Sequence, residues 1–170
     1  MQKQLLLLLF FTISGMSAQD GYPEPRAGAG RLFYIQHSNN HNTYVYEANF
    51  SSPEKIDNAE PVKIHRVAYT KGGIKQPLSH MQRKLAYGID FTKGADNCFK
   101  FNLVSYPEKS LTLKLNAEGK PYVTVNVNGK TIILKRMFLF NNKTGTKVFS
   151  INFYGKDLAT GKEVVEKMVI

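Results

Sequence analysis

The residue types best able to do chemistry gather in two short stretches of this chain. The first holds Tyr34, Gln36, Ser38, Asn40 and Asn42, with Tyr44 and Tyr46 just beyond, and the second holds Gln82, Arg83 and Tyr87. Amides and a hydroxyl supply directional hydrogen bonds, tyrosine rings offer an apolar face with a polar tip, and a guanidinium grips a carboxylate or phosphate through parallel N–H bonds. Such a set suits a small polar or anionic ligand: a sugar, a peptide or a carboxylate-bearing molecule. A structural reading competes with it, because Asn and Ser side chains also bond to their own backbone and hold turns.

Other chemistries are weaker. His37 and His41 stand four apart, and His65 could approach from another strand to complete a three-histidine metal site. That spacing puts two imidazoles on one face only in a helix, whereas 37–42, dense in Asn and Ser, reads as a loop between strands. No metal ligand is assigned. The stretch from Gly155 to Lys162 imitates a phosphate loop, but its spacer is one residue too long and Glu163 stands where a magnesium-binding hydroxyl belongs. There is no G-x-S-x-G elbow, and Cys98, followed by Phe99 and Lys100, lies in no nucleophile motif. Asp90, Asp96, Glu47 and Asp57 could pair in space for glycoside hydrolysis, though their spacing does not require it. No catalytic residue and no cofactor is assigned.

The elements that must position these groups follow from composition and periodicity. With 170 residues, 42% hydrophobic and 21% charged, the chain is one ordinary globular domain. Lys3, an apolar run over 5–13 and small residues up to Ala18 read as a secretory signal over 1–18, and the run is too short for a membrane anchor. Residues 19–30, rich in Pro and Gly, read as a flexible leader, and 31–170 as a single β-rich domain. Period-two alternation marks strands at 98–104, 110–115, 123–127, 131–140, 147–154 and 163–170, with less regular strands at 32–36, 43–48 and 62–70. Asn128-Gly129 tolerates the positive φ angles of a type I′ turn and so marks a hairpin. Ser79 and Gln82 fit a capping box, Met81 and Leu85 an apolar stripe, and Gly88 a left-handed C-terminal residue, which predicts a short helix over 79–86. The expected fold is all-β: a single antiparallel β-barrel or β-sandwich of about nine strands with one short helix.

The motifs Arg31-Leu32-Phe33-Tyr34-Ile35-Gln36, Tyr46-Glu47-Ala48-Asn49, Gln82-Arg83-Lys84-Leu85-Ala86-Tyr87-Gly88-Ile89 and Leu134-Lys135-Arg136 resemble those of the domain-of-unknown-function 4833 family of exported bacterial proteins. The resemblance implies export and one domain over nearly all of 31–170, carries over no established activity and leaves the function open. It departs at His37, more usually Arg in the family, and near His65, where an aromatic is expected.

A formal net charge of +10 favours anionic surfaces, yet no basic block exceeds Lys135-Arg136, so no specific nucleic-acid site is expected. The expected function is a non-enzymatic binding or accessory module of the bacterial envelope, secreted or periplasmic. It would be monomeric, without a span once the signal is removed, and would take a small polar or anionic ligand or an envelope component. Two alternatives stay open: a hydrolase acting on envelope glycan or peptide, and a structural subunit recognised by a partner. The ligand site is expected between the loop 37–42 and the helix 79–86, mounted on a rigid sheet.

Overall fold

A computed structural model describes residues 22–170, so the expected signal and the first leader residues lie outside the described residues. Along the chain come β1 (Arg31–His37), β2 (Asn40–Ala48), β3 (Phe50–Ser52), β4 (Lys55–Ile56), β5 (Val62–Ala68) and β6 (Ile74–Pro77). A helical segment follows, formed by α1 (His80–Gln82) and a π-helical turn at Arg83–Tyr87. Then come β7 (Ile89–Lys93), β8 (Phe99–Leu103), β9 (Tyr106–Leu115), β10 (Pro121–Val127), β11 (Lys130–Asn141), β12 (Val148–Asp157) and β13 (Glu163–Val169). All nine expected strands are present; β3, β4, β6 and β7 are additional.

Eleven strands form one sheet, and β11 is its hub. One edge of β11 pairs with β12 from Ile132 to Asn141, while the other takes β10 at residues 130–133 and then β1 at 136–139. Two wings therefore leave the same edge: β1-β2-β5-β6 and β10-β9-β8-β7. The sheet curls into an open half-barrel, with β6 and β7 at its two ends, and does not close as a single barrel. Nor is it strictly antiparallel, because β1 runs parallel to β11 with Tyr34 opposite Arg136 and His37 opposite Leu139. Alternation reports which face a residue takes and carries no information on the direction of the neighbouring strand.

The concave side holds the core. Phe33 stacks on Tyr46 with ring centroids 4.4 Å apart, and Phe101 of the opposite wing lies 6.4 Å from Phe33. Burying an aromatic side chain of this kind contributes about 1.5–3 kcal/mol. The convex side of β1 and β2 is covered as well, by residues 22–30. Gln36 Nε2 donates to the Pro23 carbonyl at 3.0 Å, Arg31 Nη1 donates to the Pro25 carbonyl at 2.6 Å, and the Tyr22 ring meets Phe138 edge-on at 5.1 Å. Burial on both faces explains why Leu32, Phe33, Tyr34 and Ile35 form an unbroken apolar run.

The Asn128-Gly129 turn has φ of 51° and 82°, as a type I′ hairpin requires. The capping box is also present: Ser79 Oγ accepts from Gln82 N at 3.2 Å, and Gln82 Oε1 accepts from Ser79 N at 3.0 Å. Two details of the helix differ from expectation. Gly88 is extended rather than left-handed, and Met81 and Leu85 are exposed rather than packed. The helical segment is too short to turn an apolar stripe inward, and its anchors are buried Leu78 just before it and half-buried Tyr87 at its end.

Candidate functional site

β1 sorts the predicted site residues by parity. Phe33, Ile35 and His37 face the core, while Tyr34 and Gln36 face the covering segment 22–30. Tyr34 and Gln36 are buried, Gln36 at 1% exposure, with its amide shared between Pro23 and Thr43 Oγ1 at 3.0 Å each. Burial raises the Tyr34 hydroxyl above the ordinary phenol range. Gln36 thus braces the leader against the sheet, and Tyr34 lies buried on the same face.

The expected loop 37–42 is a tight turn, since His37 pairs with Asn40 and β2 begins there. Ser38 Oγ accepts from Asn141 N at 2.9 Å, which ties the turn to β11. Asn40 Oδ1 accepts from Asn42 N at 2.9 Å, an Asx turn that holds the local backbone. Ser38, Asn40 and Asn42 thus fit the structural reading.

On the concave side a polar chain forms around His37. Its Nδ1 lies 3.3 Å from Asn141 Oδ1 and its Nε2 2.9 Å from the Tyr87 hydroxyl. Asn141 Oδ1 only accepts, so Nδ1 carries the proton and Nε2 accepts from Tyr87. Burial drives the His37 pKa down to about 4 against the opposing bond from Asn141, and burial, helped by Tyr44, pushes the Tyr87 hydroxyl well up. Tyr87 stacks on Tyr44 at 3.4 Å, Gln82 Nε2 donates to the Tyr44 hydroxyl at 3.4 Å, and the Tyr46 hydroxyl donates to the Tyr87 carbonyl at 2.8 Å. Both imidazole nitrogens are occupied, and the cluster fastens the helical segment to the first hairpin.

The histidines go to separate surroundings: His41 stacks on Tyr22 at 4.9 Å, and His65 Nδ1 lies 3.2 Å from Glu47 Oε2. Glu47 also meets Lys75, and Asp57 Oδ1 accepts from Ala59 N and Glu60 N, so each of these carboxylates is engaged locally. Cys98 is a partly exposed free thiol in the turn before β8.

Arg83 points elsewhere, into a cleft of about 510 Å³ at the seam where β5 and β7 fail to meet. Arg83 and Lys84 line it from the helical turn, Glu60 from the approach to β5 and Asp90 from β7; Val62, Ile64, Ile89 and Phe91 make much of its apolar surface. Two bridges span the seam. One is the helical segment itself. At the other, Asn97 Oδ1 accepts from Ile56 N at 2.8 Å and Asn97 Nδ2 donates to the Glu54 carbonyl at 3.0 Å, so the β3-β4 hairpin clasps the β7-β8 turn.

A family model described as Domain of unknown function (DUF4833) matches residues 33–167. The chain belongs to this family. No curated protein and no solved structure matches it. Within the DUF4833 span lie both the cluster around His37 and the seam cleft, whereas the covering segment 22–30 precedes it. The structure brings His37, Tyr44, Gln82 and Tyr87 together and sends Tyr34, Gln36 and Arg83 to other places. His37 as an inward residue was readable from the alternation Phe33, Ile35, His37. The alternation of Ile89 and Phe91 with Asp90 and Thr92 marks β7 in the same way. Nothing local marks Glu60 or Asn141.

Proposed function

We propose that this DUF4833 protein is an exported, non-enzymatic binding module of the bacterial envelope that takes a polar, carboxylate-bearing ligand in the seam cleft. The observation that carries the reading is the placement of exposed Arg83 and its neighbour Lys84 beside apolar strand residues in an open cleft of about 510 Å³. A planar guanidinium beside an ammonium holds an anionic group by charge-assisted hydrogen bonds, while the apolar strand residues accept the rest of the ligand. Export rests on the signal-like start of the sequence and on the resemblance to exported proteins.

Chemical-shift titration of the protein with acetate, phosphate and glucuronate tests this. Shifts around Arg83 that weaken at least about tenfold in Arg83→Ala, with an unchanged melting temperature, support it. Shifts elsewhere, or none, remove it. A hydrolytic reading has one observation of its own, since Glu60 and Asp90 share the cleft. Turnover of an envelope glycan that is abolished in both Glu60→Gln and Asp90→Asn would establish that reading instead.

A further inference from the structure

The seam cleft has a second property, in its backbone. The Pro61 carbonyl accepts from Asn49 N at 2.9 Å, on the side of β2. Backbone groups alternate edges along a strand, so Val62 and Ile64 aim their N–H and C=O groups at the opposite edge. β6 reaches that edge only from His65 onward. Across the seam, the Gly88 carbonyl accepts from Val104 N at 3.0 Å and Gly94 N donates to the Cys98 carbonyl at 2.8 Å, both on the side of β8. Ile89 and Phe91 therefore aim their backbone groups away from β8. Pro77 has no N–H, so its pairing with His65 is closed by Leu78 N donating to the Ile64 carbonyl; Val62, the Ile64 N–H and the outward groups of Ile89 and Phe91 pair with no strand among the described residues, and all four residues line the one cleft.

We infer that the seam is a strand-sized slot for an extended peptide, which pairs with β5 at Val62 and Ile64 and with β7 at Ile89 and Phe91 and sets a carboxylate on Arg83 and Lys84. This deepens the binding reading above and rests on it. Unpaired strand edges are templates for another strand, and backbone pairing combined with alternate side-chain pockets is a general mode of peptide recognition. A sugar has no use for two ladders of donors and acceptors at period two. The edge of a second folded copy carries its own sheet into the cleft, whereas a lone strand does not. Charge sets the orientation. The basic pair stands on the helical turn that follows β6, the partner of the later half of β5, and Glu60 precedes β5, so the carboxylate end lies toward the turn and the amino end toward Glu60.

The test uses a peptide of about seven residues, alternating valine and threonine with a free C-terminal carboxylate, enough to span a strand. Titrated into the isotopically labelled protein, it should slow amide hydrogen exchange at Val62, Ile64, Ile89 and Phe91. N-methylation of alternate peptide amides should abolish binding in each of the two registers, and C-terminal amidation should weaken it about tenfold, as should Arg83→Ala. Binding that survives N-methylation in both registers, or leaves those four amides unprotected, overturns the strand slot while Arg83-dependent shifts with acetate or glucuronate keep the simpler binding reading. Protection of the four amides in the free protein together with sedimentation as a dimer also overturns it, in favour of a second copy. Absence of any response to peptide, acetate, phosphate and glucuronate removes both readings.

Discussion

The Tyr87 hydroxyl lies 2.9 Å from Nε2 of His37, and that bond joins the C-terminal end of the helical segment to the inner face of the first strand, fifty residues earlier in the chain. Because burial holds the His37 pKa at about 4 against an ordinary 6.5, the unfolded chain binds the extra proton first as pH falls. Stability contributed by neutral His37 is fully present above about pH 6.5 and is lost progressively toward pH 4. Over that window the loss amounts to about 3 kcal/mol. His65 is lowered too, mainly by burial and against the pull of Glu47, and adds to the same acid-side slope. Denaturant unfolding at a series of pH values should show this slope in the native protein and a shallower one in His37→Gln.

Removing only the hydroxyl isolates the other half of the pair. Tyr87→Phe keeps the stack on Tyr44 and leaves the buried His37 Nε2 without a donor. An unsatisfied buried acceptor costs about 1–3 kcal/mol, which equilibrium unfolding measures directly. Nitrogen NMR should meanwhile place the native His37 proton on Nδ1 with Nε2 bare, and Tyr87→Phe should move the Nε2 resonance most.

Much of the fold is legible in side-chain alternation because one face of each strand meets the core, as Leu111, Leu113, Val123 and Val125 do. Partnering is less legible. Nothing local to Tyr34 or Arg136 announces that they lie side by side in a parallel pair, and β6, four residues ending in Pro77, has too little pattern to register. The polar residues of 36–42 stand together in sequence, but period two divides them: Gln36 goes under the leader, His37 into the core, and Asn40 into a turn. Arg83 is recognisable by type, and its cleft is not, because the seam joins segments on β5 and β7 separated in the chain by β6 and a helical turn.

The turn at Asn128-Gly129 gives a backbone prediction. Gly129 sits at φ of 82° with open space where a Cβ would point, so only conformation opposes a side chain there. Gly129→Ala should cost about 1 kcal/mol and Gly129→Val more, without change to the core. Asn128 adds side-chain bonds to Glu166 and the Lys167 carbonyl, so Asn128→Ala should loosen β13, seen as faster amide exchange along Val164–Met168 and read by NMR.

The covering segment is testable through Tyr22, whose ring stacks on His41 and meets Phe138 edge-on. Tyr22→Ala removes both contacts and uncovers part of the convex face of β1. The expected loss is about 1–2 kcal/mol, with Tyr34 becoming more accessible to chemical nitration. Equal stability and unchanged nitration would mean that residues 22–30 do not cover this face in solution.

Gly88 links the fold to the cleft. Its φ of −64° and ψ of 169° are extended values that any residue adopts, so conformation does not demand glycine. Space does: a Cβ on Gly88 would lie 2.0 Å from the Arg83 carbonyl oxygen and 3.0 Å from its carbonyl carbon. The π-helical turn closes so tightly over Gly88 that an alanine there must push Arg83 outward or open the turn. Either movement displaces Arg83 and Lys84 from the seam and disturbs Tyr87, which ends the same turn and bonds His37. Gly88→Ala should therefore destabilise the protein by about 1–3 kcal/mol and also weaken carboxylate binding, whereas Arg83→Ala, at an exposed position, should change stability by less than about 0.5 kcal/mol. Melting temperature and acetate titration on the two variants separate the effects. Loss of binding in both with loss of stability only in Gly88→Ala is the expected pattern, and an unperturbed Gly88→Ala variant would mean that the turn does not hold Arg83 over the cleft.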